Sequence, residues 1–219
     1  MNSYQITFHL DGTGVYFDPA EPIHIDSLVA WVLAPMQGIR HINRSMQPDD
    51  VRLPIKQSEF CGRRVHHASA LLPEGPQGES VWYWRKRFRQ SRCEISTGAP
   101  NTQMGTYRDW QMPLPLLLCR RMVGYAVGHR KDLRKALKQI RYLGKKRAHG
   151  HGRVTGIEID PTDQDQSLFL DGRSNRFLPH PEASRMVRIR PPYWHPHDAV
   201  PCAEIGTPES AWENLPEKA

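Results

Sequence analysis

Tyr4, Ile6, Phe8 and Leu10 alternate with Gln5, Thr7 and His9, the period of a strand with one buried face. The run Asp11 to Gly14 then predicts a turn. Past Pro19 and Pro22, Asp26 or Ser27 is placed to cap a helix in which Leu28, Val29, Trp31, Val32 and Leu33 cover most of the circumference. Such a helix is expected to be buried on a sheet and to end by Pro35. The chain from 37 to 53 reads as irregular, and 65–72 as a strand leading into a Pro- and Gly-rich loop at 73–78. In the stretch 81–89, VWYWRKRFR, the residues Val81, Tyr83, Arg85, Arg87 and Arg89 share one strand face and Trp82, Trp84, Lys86 and Phe88 the other. Residues 90–111 are polar and loop-like, and a segment of that length inside a compact domain predicts a protruding hairpin or arm. The apolar run 114–127 fits a buried strand or a helix segment, and periodicity does not choose between them.

From His129 to Leu143 the pattern is helical, with Leu133, Ala136, Leu137, Ile140 and Leu143 on one stripe. Lys131, Arg134, Lys135, Lys138 and Arg141 occupy the opposite face, and Gly144 stands where a C-terminal cap is expected. Strands are expected at 154–159 and 186–190, and a Pro-rich tail from Pro191 is expected to wrap the surface. There is no internal repeat.

Length and composition narrow the class. The 219 residues suit one large domain with an appendage. No run approaches the 18 apolar residues of a membrane span, and the N-terminus lacks a secretory pattern, so the expected compartment is the cytoplasm. Cys61, Cys93, Cys119 and Cys202 are too dispersed for a disulfide framework, and reduced, partly buried thiols are expected. The net charge is +7, and it is unevenly spread. Between Arg120 and Arg153 twelve basic residues face Asp132 alone, whereas from Val154 onward six basic residues face 11 acidic ones. Clustered cations on a chain of pI about 9.4 are the electrostatic footprint of a nucleic-acid binder.

The most specific feature is a helix, then Gly144-Lys145-Lys146-Arg147-Ala148-His149-Gly150-His151-Gly152-Arg153, then a strand. Glycines there let backbone amides approach an anion, and Lys145, Lys146, Arg147 and Arg153 supply charge for a sugar-phosphate backbone. It is not a Walker loop, because no GKS or GKT closes it and a P-loop runs from strand to helix. The order excludes a dinucleotide fingerprint too.

ITFHL, DSLVAWVLAPM, VHHASAL, WRKRFRQ and IRYLGKKRAHGHGRVTGIEI together resemble the RAMP superfamily of CRISPR-associated RNA-binding proteins, and most of all the Cas-five-like subunit of type IV effector complexes. The resemblance covers about residues 4–160. The resemblance implies a ferredoxin-like, RNA-recognition-type core with an inserted thumb hairpin at about 86–111 and the glycine-rich loop at 144–153; joined to the Pro-rich tail read above, the expected architecture is an α+β fold with its core over 1–190 and an irregular C-terminal extension over 191–219. The resemblance further implies a subunit that holds the 5′ handle of a guide RNA and caps the filament of backbone subunits. Its partners are then the guide RNA and the backbone and large subunits, with target DNA reached through the complex, and no membrane. Nothing carries over to the tail after Asp160.

The interleaved rings and cations Trp82 to Phe88 suit single-stranded RNA, although Trp82 and Trp84 are individually expected to be core. Arg85, Lys86, Arg87 and Arg89 are the safer candidates for contact, with Arg63, Arg64, His66 and His67 beside them in type. The pairs His66-His67 and His149/His151 also supply acid–base groups of the kind that cleave RNA. Adjacent residues on a strand point to opposite faces, so non-catalytic RNA contact by all four is the reading adopted, and a metal-independent endoribonuclease that processes precursor RNA is the alternative. A generic RNA-binding adaptor is the third. His195, His197 and Cys202 have metal-ligand chemistry without a closed four-ligand spacing, and neither a metal nor a cofactor is expected. Carboxylate pairs such as Asp49-Asp50 and Asp163/Asp165 read as solvated turns.

Overall fold

The computed structural model describes residues 1–39, 50–88, 101–145 and 147–213. In chain order the strands and helices begin with β1 (Asn2–Leu10), α1 (Ile25–Met36), β2 (Gln57–Phe60), β3 (Arg63–His66) and β4 (Leu72–Glu74). There follow β5 (Gly78–Lys86), β6 (Trp110–Leu118), β7 (Arg121–Gly128), α2 (Arg130–Leu137) and β8 (Val154–Pro161). The chain closes with β9 (Phe169–Leu170), β10 (Arg173–Ser174), β11 (Leu178–Pro179), β12 (Met186–Arg188), β13 (Ala199–Ala203) and α3 (Ser210–Glu213).

A four-stranded antiparallel sheet in the order β4-β7-β1-β8 forms the centre. β1 pairs with β7 from Asn2 opposite Gly128 to His9 opposite Arg121, and with β8 from Tyr4 opposite Pro161 to Leu10 opposite Val154. Helix α1 lies between β1 and β4 in the chain, and α2 between β7 and β8, and the two helices pack on one another and on the sheet. This is the βαββαβ connection of a ferredoxin-like fold, with the last core strand beside the first. The fold is α+β, as expected.

The alternation in β1 does what it predicts: Tyr4, Ile6, Phe8 and Leu10 are all buried, against Val29 of α1 and Leu133 and Leu137 of α2. Other expectations need correction. Asp26 does not cap α1; His24 takes the N-cap position, without a side-chain hydrogen bond, and Asp26 is buried inside the first turn. Helix α1 is not covered all round, because Ile25, Val29 and Val32 form the buried stripe and Trp31, off that stripe, is 56% exposed. Helix α2 ends at Leu137 with Lys138 as C-cap, six residues before the expected Gly144. Ile140 and Leu143 stay buried although the backbone has left the helix. The apolar run 114–127 is two strands, the end of β6 and most of β7.

The β5–β6 hairpin, expected over about 86–111, already begins at Gly78. β5 and β6 pair along their whole length, from Gly78 opposite Leu118 to Lys86 opposite Trp110. Leu114 and Leu116 turn inward, and Val81, Tyr83 and Arg85 outward. Arg89 and the rest of the span 89–100 lie outside the described residues, as does Lys146.

A second apolar cluster gathers Val65, Phe177, Ile189, Val200 and Cys202, with Phe60 packed against it. The β2–β3 ribbon and the C-terminal strands, including the sheet β11-β13-β12, therefore share one small core. Arg176 clasps it to the main core. Fully buried, its guanidinium donates to the carbonyls of His66, Ala68 (2.9 Å) and Ile189 (2.8 Å) and to the Tyr193 hydroxyl (2.8 Å). Cys119 and Cys202 are buried thiols, and burial pushes Cys202 up to about 12. No described helix is long and apolar enough to cross a membrane.

Candidate nucleic-acid interface

The segment from Leu143 to Arg153 is a closed loop. Leu143 N–H donates to the Gly152 carbonyl (2.8 Å), Tyr142 bridges to Arg153, and Gly152 N–H donates to the Gly14 carbonyl (2.8 Å), so both ends are pinned to each other and to the turn after β1. Its glycines have different tasks. A Cβ at Gly144 (φ +75°) would lie 2.5 Å from the Tyr16 carbonyl oxygen, and one at Gly152 (φ +69°) 2.1 Å from that of Leu143. These two are demanded by the chain's own backbone. Gly150 (φ +88°) has no atom within 4 Å of where its Cβ would stand, so there the backbone is open to an approaching group.

Lys145 and Arg147 of the loop lie over aromatic rings. Lys145 Nζ lies 4.8 Å from the centre of the Tyr16 ring and 3.2 Å from Glu21; burial works against its charge, but Glu21 and Tyr16 together outweigh this and raise its pKa. Arg147 lies 4.9 Å over Trp31 of α1. Arg153 is exposed, and the outer face of α2 with Arg134, Lys135 and Lys138 continues the basic surface.

Trp82 joins this loop to the β5–β6 ribbon. Its ring, half-buried on β5, lies 4.8 Å from His149 and 5.1 Å from His151. His149 is exposed, whereas His151 is buried with neither ring nitrogen hydrogen-bonded within the chain. Beyond Trp82 on the same ribbon, Arg85 stacks over the exposed Tyr83 (5.7 Å), Lys86 donates to the Thr106 carbonyl (2.6 Å), and Arg87 is exposed. Two motifs distant in the chain thus meet at Trp82 and the His149/His151 pair.

The remaining candidates lie elsewhere. His66 and His67 are 3% and 6% exposed, and both rings are fully engaged inside the chain. His66 Nδ1 donates to Asp26 (2.9 Å) while the Gln57 amide meets Nε2 (2.7 Å); His67 bonds Asp165 (2.6 Å) and Ser58 (2.7 Å). The expectation that this pair contacts RNA is corrected: neither ring has a nitrogen to offer an external ligand. Asp165 is exposed, as expected, and is also tied into this network; partial burial alone would raise its pKa, but the His67 and Ser167 hydrogen bonds hold it down at about 2. Arg63 and Arg64 are exposed on β3, on the ribbon tied to the C-terminal core. His195, His197 and Cys202 do not come together as a metal-holding group among the described residues.

Tyr16 and Trp31, against which Lys145 and Arg147 lie, are residues of this candidate surface that the sequence did not single out. Trp31 falls off the 25/29/32 stripe of α1, which was the available signal. Nothing local marks Tyr16.

The model of the family described as CRISPR type IV associated protein Csf3 matches residues 83–204, more than half of the chain. The chain belongs to this family. Csf3 is a Cas-five-like RAMP subunit, so the resemblance read from the sequence is correct. No curated protein matches the chain. The Csf3 match extends well past Asp160, where the sequence reading stopped. It takes in the glycine-rich loop, β8 and the C-terminal strands through residue 204.

Proposed function

We propose that this Csf3-family protein binds the 5′ handle of a guide RNA through the glycine-rich loop and the thumb root, and caps the backbone filament of a type IV effector complex. The observation that carries the reading is the junction at Trp82. There an open-backbone glycine, Gly150, and the exposed His149 stand against the Trp82 side of a ribbon whose other side presents Tyr83, Arg85 and Arg87. Rings for bases and cations for phosphates on a loop and the ribbon it touches are what single-stranded RNA requires. In the experiment, Lys145, Lys146 and Arg147 are replaced together by Ala and RNA affinity is followed against salt. The slope of log K on log salt is expected to fall by about 0.7 for each phosphate no longer neutralised, and an unchanged slope with unchanged affinity would put the RNA elsewhere.

The protein holds RNA without cutting it on this reading. Cleavage needs an acid and a base within reach of one 2′-hydroxyl and one leaving oxygen, and with His66 and His67 consumed internally, of the four candidate histidines the His149/His151 pair remains. Incubation with repeat RNA in EDTA is expected to leave it intact. Site-specific cleavage that disappears in the His149→Ala, His151→Ala double variant would establish the processing enzyme instead.

A further inference from the structure

A cleft of about 790 Å³ opens between α1 and the C-terminal segment, lined by Trp31 and Ala34 on the helix and by Met186, Tyr193 and Trp194 across from them. Its volume is that of a small-ligand site. Two of its large rings are accessible, Trp31 at 56% and Trp194 at 54% exposure.

The polar groups of the lining select the kind of ligand. Arg185 is engaged by Glu204 (3.1 Å) and by the Ala20 carbonyl, and Arg188 donates to the carbonyls of Arg190 (2.9 Å) and His197 (2.6 Å). These guanidinium groups are occupied by the chain itself, so the cleft is not built around an anion. His24 also lines it, 2% exposed, stacked 4.5 Å from Tyr193, with neither ring nitrogen hydrogen-bonded within the chain. Burial, with Arg176 adding to it, lowers the His24 pKa to about 3, leaving a neutral ring with one donor and one acceptor. Buried polar atoms ordinarily have partners. A flat, uncharged group with its own donor and acceptor fits this lining.

The cleft is continuous with the basic loop. Glu21 and Trp31 both line it, and they are the residues that hold Lys145 (3.2 Å) and Arg147 (4.9 Å). A strand whose phosphates follow the loop passes the mouth of the cleft.

We propose that the cleft is a base-binding subsite, in which one unstacked base of single-stranded RNA packs among Trp31, Tyr193 and Trp194 with its edge toward His24. The proposal rests on the reading that the glycine-rich loop binds RNA. It assigns a ligand to the C-terminal extension, which the loop alone does not.

The test uses fluorescein-labelled repeat RNA and a series of the same RNA with one abasic nucleotide at each position, bound to wild type, Trp194→Ala and Ala34→Trp. One position is expected at which base removal costs wild type about tenfold in affinity, and both variants are expected to bind intact RNA about tenfold more weakly with no further loss at that position. If the abasic loss persists unchanged in both variants, while an Arg147→Ala, Arg153→Ala variant loses RNA, the cleft proposal fails and the loop reading stands. If that loop variant binds like wild type, the loop reading fails and takes the proposal with it. In the assembled complex, a benzophenone amino acid at position 34 should crosslink to RNA; crosslinking to a protein subunit alone would make the cleft a protein-docking site and overturn the proposal.

Discussion

Asp26 is the residue on which the two cores meet. It is fully buried, with His66 Nδ1 at 2.9 Å, the Tyr193 hydroxyl at 2.8 Å and the Arg176 guanidinium at 3.7 Å. Burial alone would raise its pKa, but Arg176 and then His66 outweigh it and bring it from 3.8 to about 2. A carboxylate lowered on folding contributes stability that is complete above its ordinary value and disappears as pH falls through the folded one. The Asp26→Asn variant, which strands Arg176 without a counter-charge, is expected to lose about 3 to 5 kcal/mol in urea unfolding at neutral pH. The gap to wild type should narrow below about pH 4, and a gap independent of pH would show that the charge of Asp26 is not what binds. His24 acts with the same sign at higher pH, since its pKa falls from 6.5 to about 3 on burial and the unfolded chain takes up the proton first. Stability should therefore already decline between those values, by at most about 1.4 kcal/mol per pH unit, and His24→Phe should flatten that decline. None of this network was legible in the sequence. His66-His67 read as a surface pair because their partners lie 40 and 98 positions away, and Asp26 read as a cap because caps and buried acids share residue types.

At the scale of elements, local pattern and tertiary demand separate cleanly in the glycine-rich loop. Its existence, its bounds and its basic residues were readable from composition alone, but which glycine does what was not, since that depends on Tyr16 and Leu143 coming close from outside. The difference is testable. Gly152→Val drives a Cβ into the Leu143 carbonyl and is expected to destabilise the fold, lowering the urea midpoint. Gly150→Ala meets no atom and bears only the strain of positive φ, about 1 to 2 kcal/mol, so its main effect should fall on RNA affinity. Equal stability losses at the two positions would mean that the loop is one rigid unit without an open face. The end of α2 was misread for a related reason. Ile140 and Leu143 keep the spacing of a helical stripe, yet they are buried by a chain that turns at Lys138 so that Leu143 can bond Gly152. In β5 the alternation of faces was correct, and its polarity was ambiguous because both faces carry rings; burial resolves it, with Trp82 and Trp84 inward and Val81 and Tyr83 outward.

For the whole molecule, the architecture divides holding from reaching. The four-stranded sheet and its helices carry the glycine-rich loop, the Arg176 clasp fixes the C-terminal strands to that base, and the β5–β6 ribbon is paired to its far end, where Lys86 lies opposite Trp110. Because those two residues face each other directly, residues 87–109 can be replaced by a two-residue Asn-Gly turn of the type that closes hairpins. The ribbon keeps its inward anchors, Leu114, Leu116 and Trp82, none of which is in the deleted span. The shortened protein is therefore expected to match wild type in thermal midpoint and to keep RNA binding through Trp82 and the loop, weakened by the loss of Arg87 and Arg89. A thumb that reaches a neighbouring subunit predicts that its incorporation into the effector complex nonetheless falls, measured by co-purification with the backbone subunit. Unfolding of the shortened chain would make the tip part of the core, and normal incorporation would mean that assembly depends on another surface, such as the basic outer face of α2.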